Sequence, residues 1–493
     1  MTAVAKETQK IRNRNIRPLI FYGVIFSFFI LLSVLHTPGE PYGILSLMPV
    51  CFTIIAAIAT KRALEPLLAG VIAGILLAGP TSFFAQLGSI STSALGSDTI
   101  VWIILVCGML NGLIVMLERG GSILSFGDFL AGRIHTKRRA LLTTSGLGIL
   151  VFIDDYLNAL AVSSSMKSTT DRFNISREKL SFIVDSTAVP VCILVPISTW
   201  AVFFTALLED NGVAAKGEGI LLYIESIPYM FYGWIALFVV WLVAMGYFKD
   251  FGGMKKAEIR AQGGQPIPDG VKSNGFDTSN IIKKSSTLMG LLNFFLPMAV
   301  LVGASVYYDI DLLIGSLVAS VFTMTFYMVQ NLMGFNQLVE AMLDGFKLML
   351  LPFAILVAGY MLKDVNDLLN MTPYIMDSVI PYLSKELFAV IIFLIMALIV
   401  FATSSAWGMF VISLPIIVPL AQGVDASMPL VIGALMSASA FGCHACFYGV
   451  STILAAQGSQ CTTMQHALTQ LPYTLLAATG TIILLAAAGY MLP

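Results

Sequence analysis

The chain has 493 residues, 57% of them hydrophobic and only 11% charged, with a formal net charge of −1. Soluble domains carry about 25% charged residues, so this composition excludes a water-soluble globular protein, and lipid must serve as solvent. No basic stripe for nucleic acid is present. The six cysteines fall in or beside apolar stretches, which reads as reduced thiols and not a secreted disulfide framework.

At about 20 apolar residues per crossing, the chain holds roughly ten to a dozen spans. Lys6, Lys10, Arg12, Arg14 and Arg17 precede an apolar run that is too long for a signal peptide. Leu19–Leu35 is therefore predicted as a retained first helix, with a cytoplasmic N-terminus. Lys and Arg in short loops orient the rest. Gly43–Thr60 returns to Lys61-Arg62, and Leu64–Gly79 crosses outward into a loop, Pro80 to Ser97, that lacks basic residues. Ile100–Leu117 comes back to Arg119, and a short segment, Ser122–Gly132, leads to Arg133, Lys137, Arg138 and Arg139. Ala140–Met166 lies between this cluster and a second one, Lys167, Arg172, Arg177 and Lys179. A simple crossing would split the clusters across the membrane, so a re-entrant hairpin or a pair of half-helices is predicted. Leu180–Leu208 then crosses outward and Tyr229–Phe248 returns. The polar stretch from Lys249 to Lys284 is expected to be a flexible cytoplasmic linker.

The second half repeats the layout. Spans are predicted at Thr287–Tyr307, Leu312–Leu332 and Ala341–Leu362. A polar stretch from Lys363 to Glu386, an apolar block from Leu387 to Ala421, a broken span at Pro429–Ala456 and a closing span at Tyr473–Leu492 follow. The expected fold is an all-α polytopic membrane protein of about 11 transmembrane helices, with two re-entrant or broken elements in two inverted repeats. Its division is 1–42 (N-terminus and extra helix), 43–248 (first repeat), 249–286 (linker) and 287–493 (second repeat). Val151–Asp155 lines up with Val400–Ser404 at the same place in each half. Inverted repeats with discontinuous helices near the midplane are the architecture of secondary transporters, because broken backbone at membrane depth survives only against protein or a water-filled cavity.

A carboxylate inside a span costs at least about 2.5–3.5 kcal/mol on insertion scales, which makes Asp154, Asp155 and Asp185 functional candidates. Adjacent acids in a dry site must share a cation or a proton; the plainer reading is a helix cap. Asn158 lies one turn on. Asp185, Ser186 and Thr187 open a span broken by Pro190 and Pro196, whose freed carbonyls and hydroxyls suit a hard cation; a proline kink with back-bonded hydroxyls is the alternative. Asp171, Arg172, Arg177, Glu178 and Lys179 read as a solvated loop. In the second half Thr403, Ser404 and Ser405 form the uncharged counterpart of the Asp154 element. Ser451 and Thr452 lie in an unwound span with His444, which is either a proton carrier or a neutral core histidine. Cys443-His444-Ala445-Cys446 matches no usual zinc spacing. Lys363, Asp364 and Asp367 are either interfacial or core-facing.

Phe152-Ile153-Asp154-Asp155-Tyr156-Leu157-Asn158-Ala159-Leu160, Thr170-Asp171-Arg172-Phe173, Val184-Asp185-Ser186-Thr187-Ala188 and Val195-Pro196-Ile197-Ser198 together resemble the signatures of the NhaC family of sodium/proton antiporters, within the larger ion-transporter superfamily. The resemblance implies cation-coupled antiport, with Asp154, Asp155 and Asp185 carrying the cation or proton. Family members often show Gly-Asp-His-Cys-Ser-Pro and Ser-Asp-Thr-Thr in the second half. Here these read Gly442-Cys443-His444-Ala445-Cys446-Phe447 and Gly449-Val450-Ser451-Thr452, with both acids missing.

The expected function is a sodium/proton antiporter of the bacterial inner membrane working by alternating access; the alternative is a sodium- or proton-coupled carrier of an organic solute. No metalloprotease, nucleophile-elbow or phosphate-loop motif supports an enzyme. No cofactor is expected beyond sodium and protons as transported species. The expected partners are lipid and small cations, with a homodimer left open.

Overall fold

The computed structural model describes residues 21–37, 39–60, 62, 64–122, 125, 134–268, 287–308, 311–447 and 449–492, and every regular element among them is helical. The basic N-terminus, most of Ser122–Gly132 and residues 269–286 lie outside the described residues. The first half runs α1 (Phe21–Leu35), α2 (Met48–Thr60), α3 (Leu64–Ala78), α4 (Phe83–Leu95), α5 (Asp98–Arg119), α6 (Lys137–Leu150), α7 (Asp155–Arg172), α8 (Arg177–Ser186), α9 (Val189–Leu194), α10 (Thr199–Asp210), α11 (Gly219–Ser226), α12 (Phe231–Met245) and α13 (Gly252–Gln262). The second half runs α14 (Thr287–Tyr307), α15 (Leu312–Val329), α16 (Phe335–Leu348), α17 (Leu350–Leu368), α18 (Met371–Val379), α19 (Lys385–Thr403), α20 (Ala406–Gly423), α21 (Met428–Ala445), α22 (Val450–Ser459) and α23 (Thr463–Met491). Among the described residues eight helices are long and apolar enough to cross a bilayer, or up to eleven if each of three bent pairs is one span. The chain is a multi-pass membrane protein.

Two bodies of helices pack side by side. In one, α5 lies against α15 and α16, and α3 against α17. Small residues set the α5–α16 approach: a Cβ on Gly345 would stand 2.2 Å from the Gly112 backbone nitrogen, so the two backbones touch where nothing larger than hydrogen fits. Arg119 pairs with Asp344 at the end of this contact. The second body holds the broken helices: α6 and α7 lie against α8, α22 against α7, and α21 against α19 and α23. α10 packs on α5 and α17 on α20, joining the two bodies.

The re-entrant prediction can be read from one carboxylate. Glu258 on α13, 3% exposed, accepts Lys137 Nζ at 2.6 Å from the start of α6. It also accepts the Ser176 backbone N–H and hydroxyl, both at 2.8 Å, from the turn after α7. The outer ends of α6 and α7 therefore meet, and the chain turns back on itself between them. Lys179 adds Asp250 at 2.9 and 2.8 Å, and Arg260 clasps Glu178 with two bonds.

Several sequence expectations change. Arg177, Glu178 and Lys179 are 3%, 2% and 4% exposed; they do hold elements together, but as a buried ion network and not a solvated loop. The described part of the flexible linker, 249–268, contains the docked helix α13, because Met254, Ala257, Glu258 and Ala261 recur at helical spacing and are all buried. The loop from Pro80 to Ser97 is mostly helix α4, turned 119° from α3. The span expected at Ala341–Leu362 is a pair, α16 and α17, bent by 40°. The polar stretch after it contains α18, and the last helix begins ten residues before Tyr473, at Thr463.

Candidate functional site

Four helix breaks meet in the second body. The first hairpin breaks at 151–154, the second at Ser404 and Ser405; the crossing helices break at 187–188 and 446–449. The helix ends correct the internal alignment. Val151 caps the end of α6 and Ser404 the end of α19, so the two hairpins match two to four residues away from the pairing of Val151–Asp155 with Val400–Ser404.

Asp154 and Asp155, both 3% exposed, stand at the N-terminus of α7, where the helix dipole favours negative charge. Asp154 Oδ1 accepts the Tyr156 N–H at 3.0 Å, so one acid of the pair takes the anticipated capping role. Its Oδ2 takes the Thr199 hydroxyl at 3.3 Å, and Asp155 Oδ1 takes the Trp200 indole N–H at 2.9 Å. Two aligned carboxylates thus face the first turn of α10. The Trp200 ring lies 5.5 Å from that of Trp407 on α20, which brings the second hairpin against the first.

Asn158, fully buried, shares α7 with Asp155 and ties the breaks together. Its Nδ2 reaches the carbonyls of Gly148 (2.6 Å), Val151 (3.0 Å) and Thr187 (3.0 Å). Its Oδ1 has no hydrogen-bond partner. Gly148 is required by this crossing, since a Cβ there would meet Thr187 Oγ1 at 2.0 Å.

A second cluster surrounds Asp185, near the end of α8 and fully buried. Its Oδ2 accepts Gln470 Nε2 at 2.8 Å, His466 Nε2 at 3.1 Å and the Thr452 hydroxyl at 3.2 Å. Thr452 lies in the first turn of α22, so the positive end of that helix faces the acid. Ser186 and His444 Nε2 are 2.9 Å apart, and Tyr232 OH lies 2.8 Å from His444 Nδ1. Gln470 also donates to the His444 carbonyl. Both ring nitrogens of His444 therefore have protein partners.

The three acids do not form one cluster. Asp154 and Asp155 belong to the hairpin tip and Asp185 to a separate network, with Asn158 bonded across to the break beside Asp185. Ser186, Thr452 and His444 join that network. Ser451 lies buried in the same helix turn as Thr452, its hydroxyl without a partner. Thr187 contributes its carbonyl, while its hydroxyl bonds back to Ile183 at 2.8 Å. Thr403 is likewise back-bonded, to Ile399 at 2.8 Å, and Ser405 caps α20 through Gly408 N–H. Ser404 turns the chain at φ 56°, its hydroxyl unpartnered. Lys363 is half-buried and paired with Asp210 at 2.9 Å, Asp364 is half-buried, and Asp367 is exposed.

Sequence reasoning missed His466 and Gln470. Both lie on α23, one turn apart, and both are buried; a polar i, i+4 pair in an apolar helix was the available signal. Trp200 and Tyr232 carried no such signal.

A sequence model of the Na+/H+ antiporter family matches residues 216–490. An uncharacterised protein of Haemophilus influenzae is 27% identical over 481 residues, covering 89% of each chain. Among solved structures, the YdaH transporter of Alcanivorax borkumensis matches with TM-score 0.52 and 14% identity, over 84% of this chain and 90% of its own. MtrF of Neisseria gonorrhoeae, described with a class of antimetabolite efflux pumps, matches with TM-score 0.52 and 13% identity, over 93% and 97%. At such identities the two structures bear on the fold alone, and that fold is one of transporters.

Proposed function

The chain belongs to the Na+/H+ antiporter family, and from that premise we propose that it exchanges sodium for protons by alternating access. Its setting in this reading is the bacterial inner membrane, with the N-terminus cytoplasmic. One observation supports the reading above others: the Asp185 network leaves oxygens without donors. Asp185 Oδ1, Asn158 Oδ1, Ser451 Oγ and Gln470 Oε1 are all buried and unpartnered. A buried polar atom left unpaired costs about 1–3 kcal/mol, so a site that keeps several is built for a guest. Oxygens from a carboxylate, amides and a hydroxyl are the ligands a hard cation takes.

Exchange follows from a single charge that two guests can neutralise. Sodium would be held through the unpartnered Asp185 oxygen. A proton would be held on the Asp185–His466 pair at the other oxygen. Each makes the other less favourable, since both relieve the same buried negative charge. Asp154 and Asp155 pose a like problem at the hairpin tip, where adjacent carboxylates need a positive guest while the tip is closed from water. Movement of the hairpins and broken helices against the α5–α16 body would carry the guest from one face to the other.

The test uses purified protein in proteoliposomes with an internal pH dye. Sodium, lithium and potassium are added to wild type, Asp185→Asn, Asp155→Asn and Asn158→Ala. Sodium is expected to move protons in wild type, with Asp185→Asn and Asp155→Asn silent and Asn158→Ala weakened in apparent sodium affinity. Proton movement by no alkali cation in wild type, or undiminished in Asp185→Asn, overturns the proposal.

A further inference from the structure

A cavity of about 710 Å³ opens at the opposite end of α10 from the hairpin tip, walled by α5, α10, the loop before α11 and the α14–α15 turn. It faces away from the Lys137–Lys179 cluster, on the side poorer in Lys and Arg, and so outward. We propose that this cavity binds an organic cation, a solute carrying one or two protonated amines. The inference goes beyond the ion exchange proposed above and does not depend on it.

Charge is the first argument. Asp98, Glu209, Asp210 and Asp311 line the cavity. Lys363 neutralises Asp210. Lys216, also on the wall, stands 3.9 Å from Asp98 with both side chains at least 84% exposed, so with both lysines counted the wall keeps an excess of two carboxylates, and water screens the opposition of Lys216. Glu209 accepts the Gly219 N–H at 3.0 Å and Asp311 the Ile314 N–H at 3.0 Å. Those bonds orient the carboxylates and leave their charge in place.

Size and wall chemistry choose the class of cation. The volume, about 710 Å³, falls within the roughly 300–1,000 Å³ of small-molecule pockets, and a water occupies only about 30 Å³. An alkali ion with its water shell would leave most of it unfilled. Trp102 offers a ring for a cation–π contact. Thr205, also on the wall, is 6% exposed and its hydroxyl has no partner. The hydroxyl is covered in this structure, and a rotation of the side chain would turn it to the cavity as an acceptor for an N–H donor on a solute.

Position adds the third argument. From Trp200, bonded to Asp155, to Ala206 on the cavity wall is about 9 Å along α10. Phe203 and Phe204 fill that interval, with ring centroids 4.4 Å from Trp407 and 4.8 Å from Phe410. An aromatic cluster thus lies along α10 between the cavity wall and the residue that bonds Asp155.

The experiment titrates choline and putrescine by calorimetry into full-length protein in lipid nanodiscs at fixed ionic strength. At least one amine is expected to bind the wild type. Asp98→Asn/Glu209→Gln is expected to weaken that binding at least about tenfold, and Thr205→Val to weaken it less. Gln keeps an acceptor for Gly219 and Asp98 is surface-exposed, so the double variant is expected to melt at the wild-type temperature; Asp98→Asn alone provides a second reading. The proposal is overturned if neither amine binds, if the variants bind as wild type does, or if an equal concentration of sodium displaces the amine. Because binding is read without transport, a failure of sodium/proton exchange leaves this result intact.

Discussion

Removing the Glu258 carboxylate should release α13 and loosen the root of the first hairpin. In Glu258→Ala the buried Ser176 N–H loses its acceptor, at a cost of about 1–3 kcal/mol. Lys179 keeps Asp250 at 2.8 Å and is not left unpaired. Lys137, with its side chain 36% exposed, returns to water at a cost of no more than about 1 kcal/mol. The total is about 3 kcal/mol, below the upper end of about 5 kcal/mol for breaking a fully buried pair. If α13 opens locally, its amides should exchange roughly 150-fold faster. Hydrogen-exchange mass spectrometry on the full chain in nanodiscs reads this over 252–262 and over the turn at 173–176, and Glu258→Gln should recover most of the protection. Acid should mimic the loss. Burial by itself would raise the Glu258 carboxyl, but Lys179 first, then Lys137 and the Ser176 N–H, hold it below the usual glutamate value. Its stabilisation is therefore complete above the ordinary value and is lost as pH falls through the depressed one. A change under about threefold, or one spread evenly over all helices, would refute the assignment of Glu258 as the local clasp.

Other perturbations test the packing and the site. Gly345→Val should lower the melting temperature sharply, because its Cβ would meet Gly112 backbone at 2.2 Å, whereas Gly146→Ala, with nothing within 4 Å, should leave it unchanged; fluorescence-detected size-exclusion after heating compares them. Trp200→Phe keeps the ring and removes the donor to Asp155, a charge-assisted bond of about 1.5–3 kcal/mol, and should slow exchange about ten- to hundredfold in vesicle initial rates. Gly458→Ala would press a Cβ to 1.8 Å from Ser163 Oγ; it should impair folding, and Ser163→Gly should restore melting behaviour if the α7–α22 crossing is as close as described.

What could be read in the sequence was set by the bilayer. Charge placement required Ala140–Met166 to turn back, and Glu258 now joins both ends of that turn. Pro190 and neighbouring hydroxyls marked the break at 187–188, and glycines with hydroxyls the one at 446–449. Polar residues flanking spans were harder, because the same composition describes a solvated loop and a packed ion network. Arg177, Glu178 and Lys179 were read as the first and are the second, and only their distant partners Asp250, Glu258 and Arg260 decide it. His466 was lost for a related reason. The last span was counted from Tyr473, although the Thr462–Gln465 capping box, visible in the sequence, starts the helix ten residues earlier.

The two halves place different ionisable groups at their breaks. Asp185 is the penultimate residue of α8 and His444 the penultimate residue of α21, so the two occupy matching places in the two halves and meet through Ser186. If only the count of buried charge mattered, an acid could sit at either place. The surroundings argue otherwise: His466, Gln470 and Thr452 all donate to Asp185, while His444 meets hydroxyls of Ser186 and Tyr232. An acid moved to 444 would lose the His466 and Thr452 donors and, with them, the pair proposed to hold the proton. Asp185→Asn/His444→Asp should therefore stay as silent in the proteoliposome assay as Asp185→Asn alone. Recovery of sodium-driven proton movement in the double variant would show that the two halves are interchangeable and that the Asp185–His466 pair is not the proton carrier.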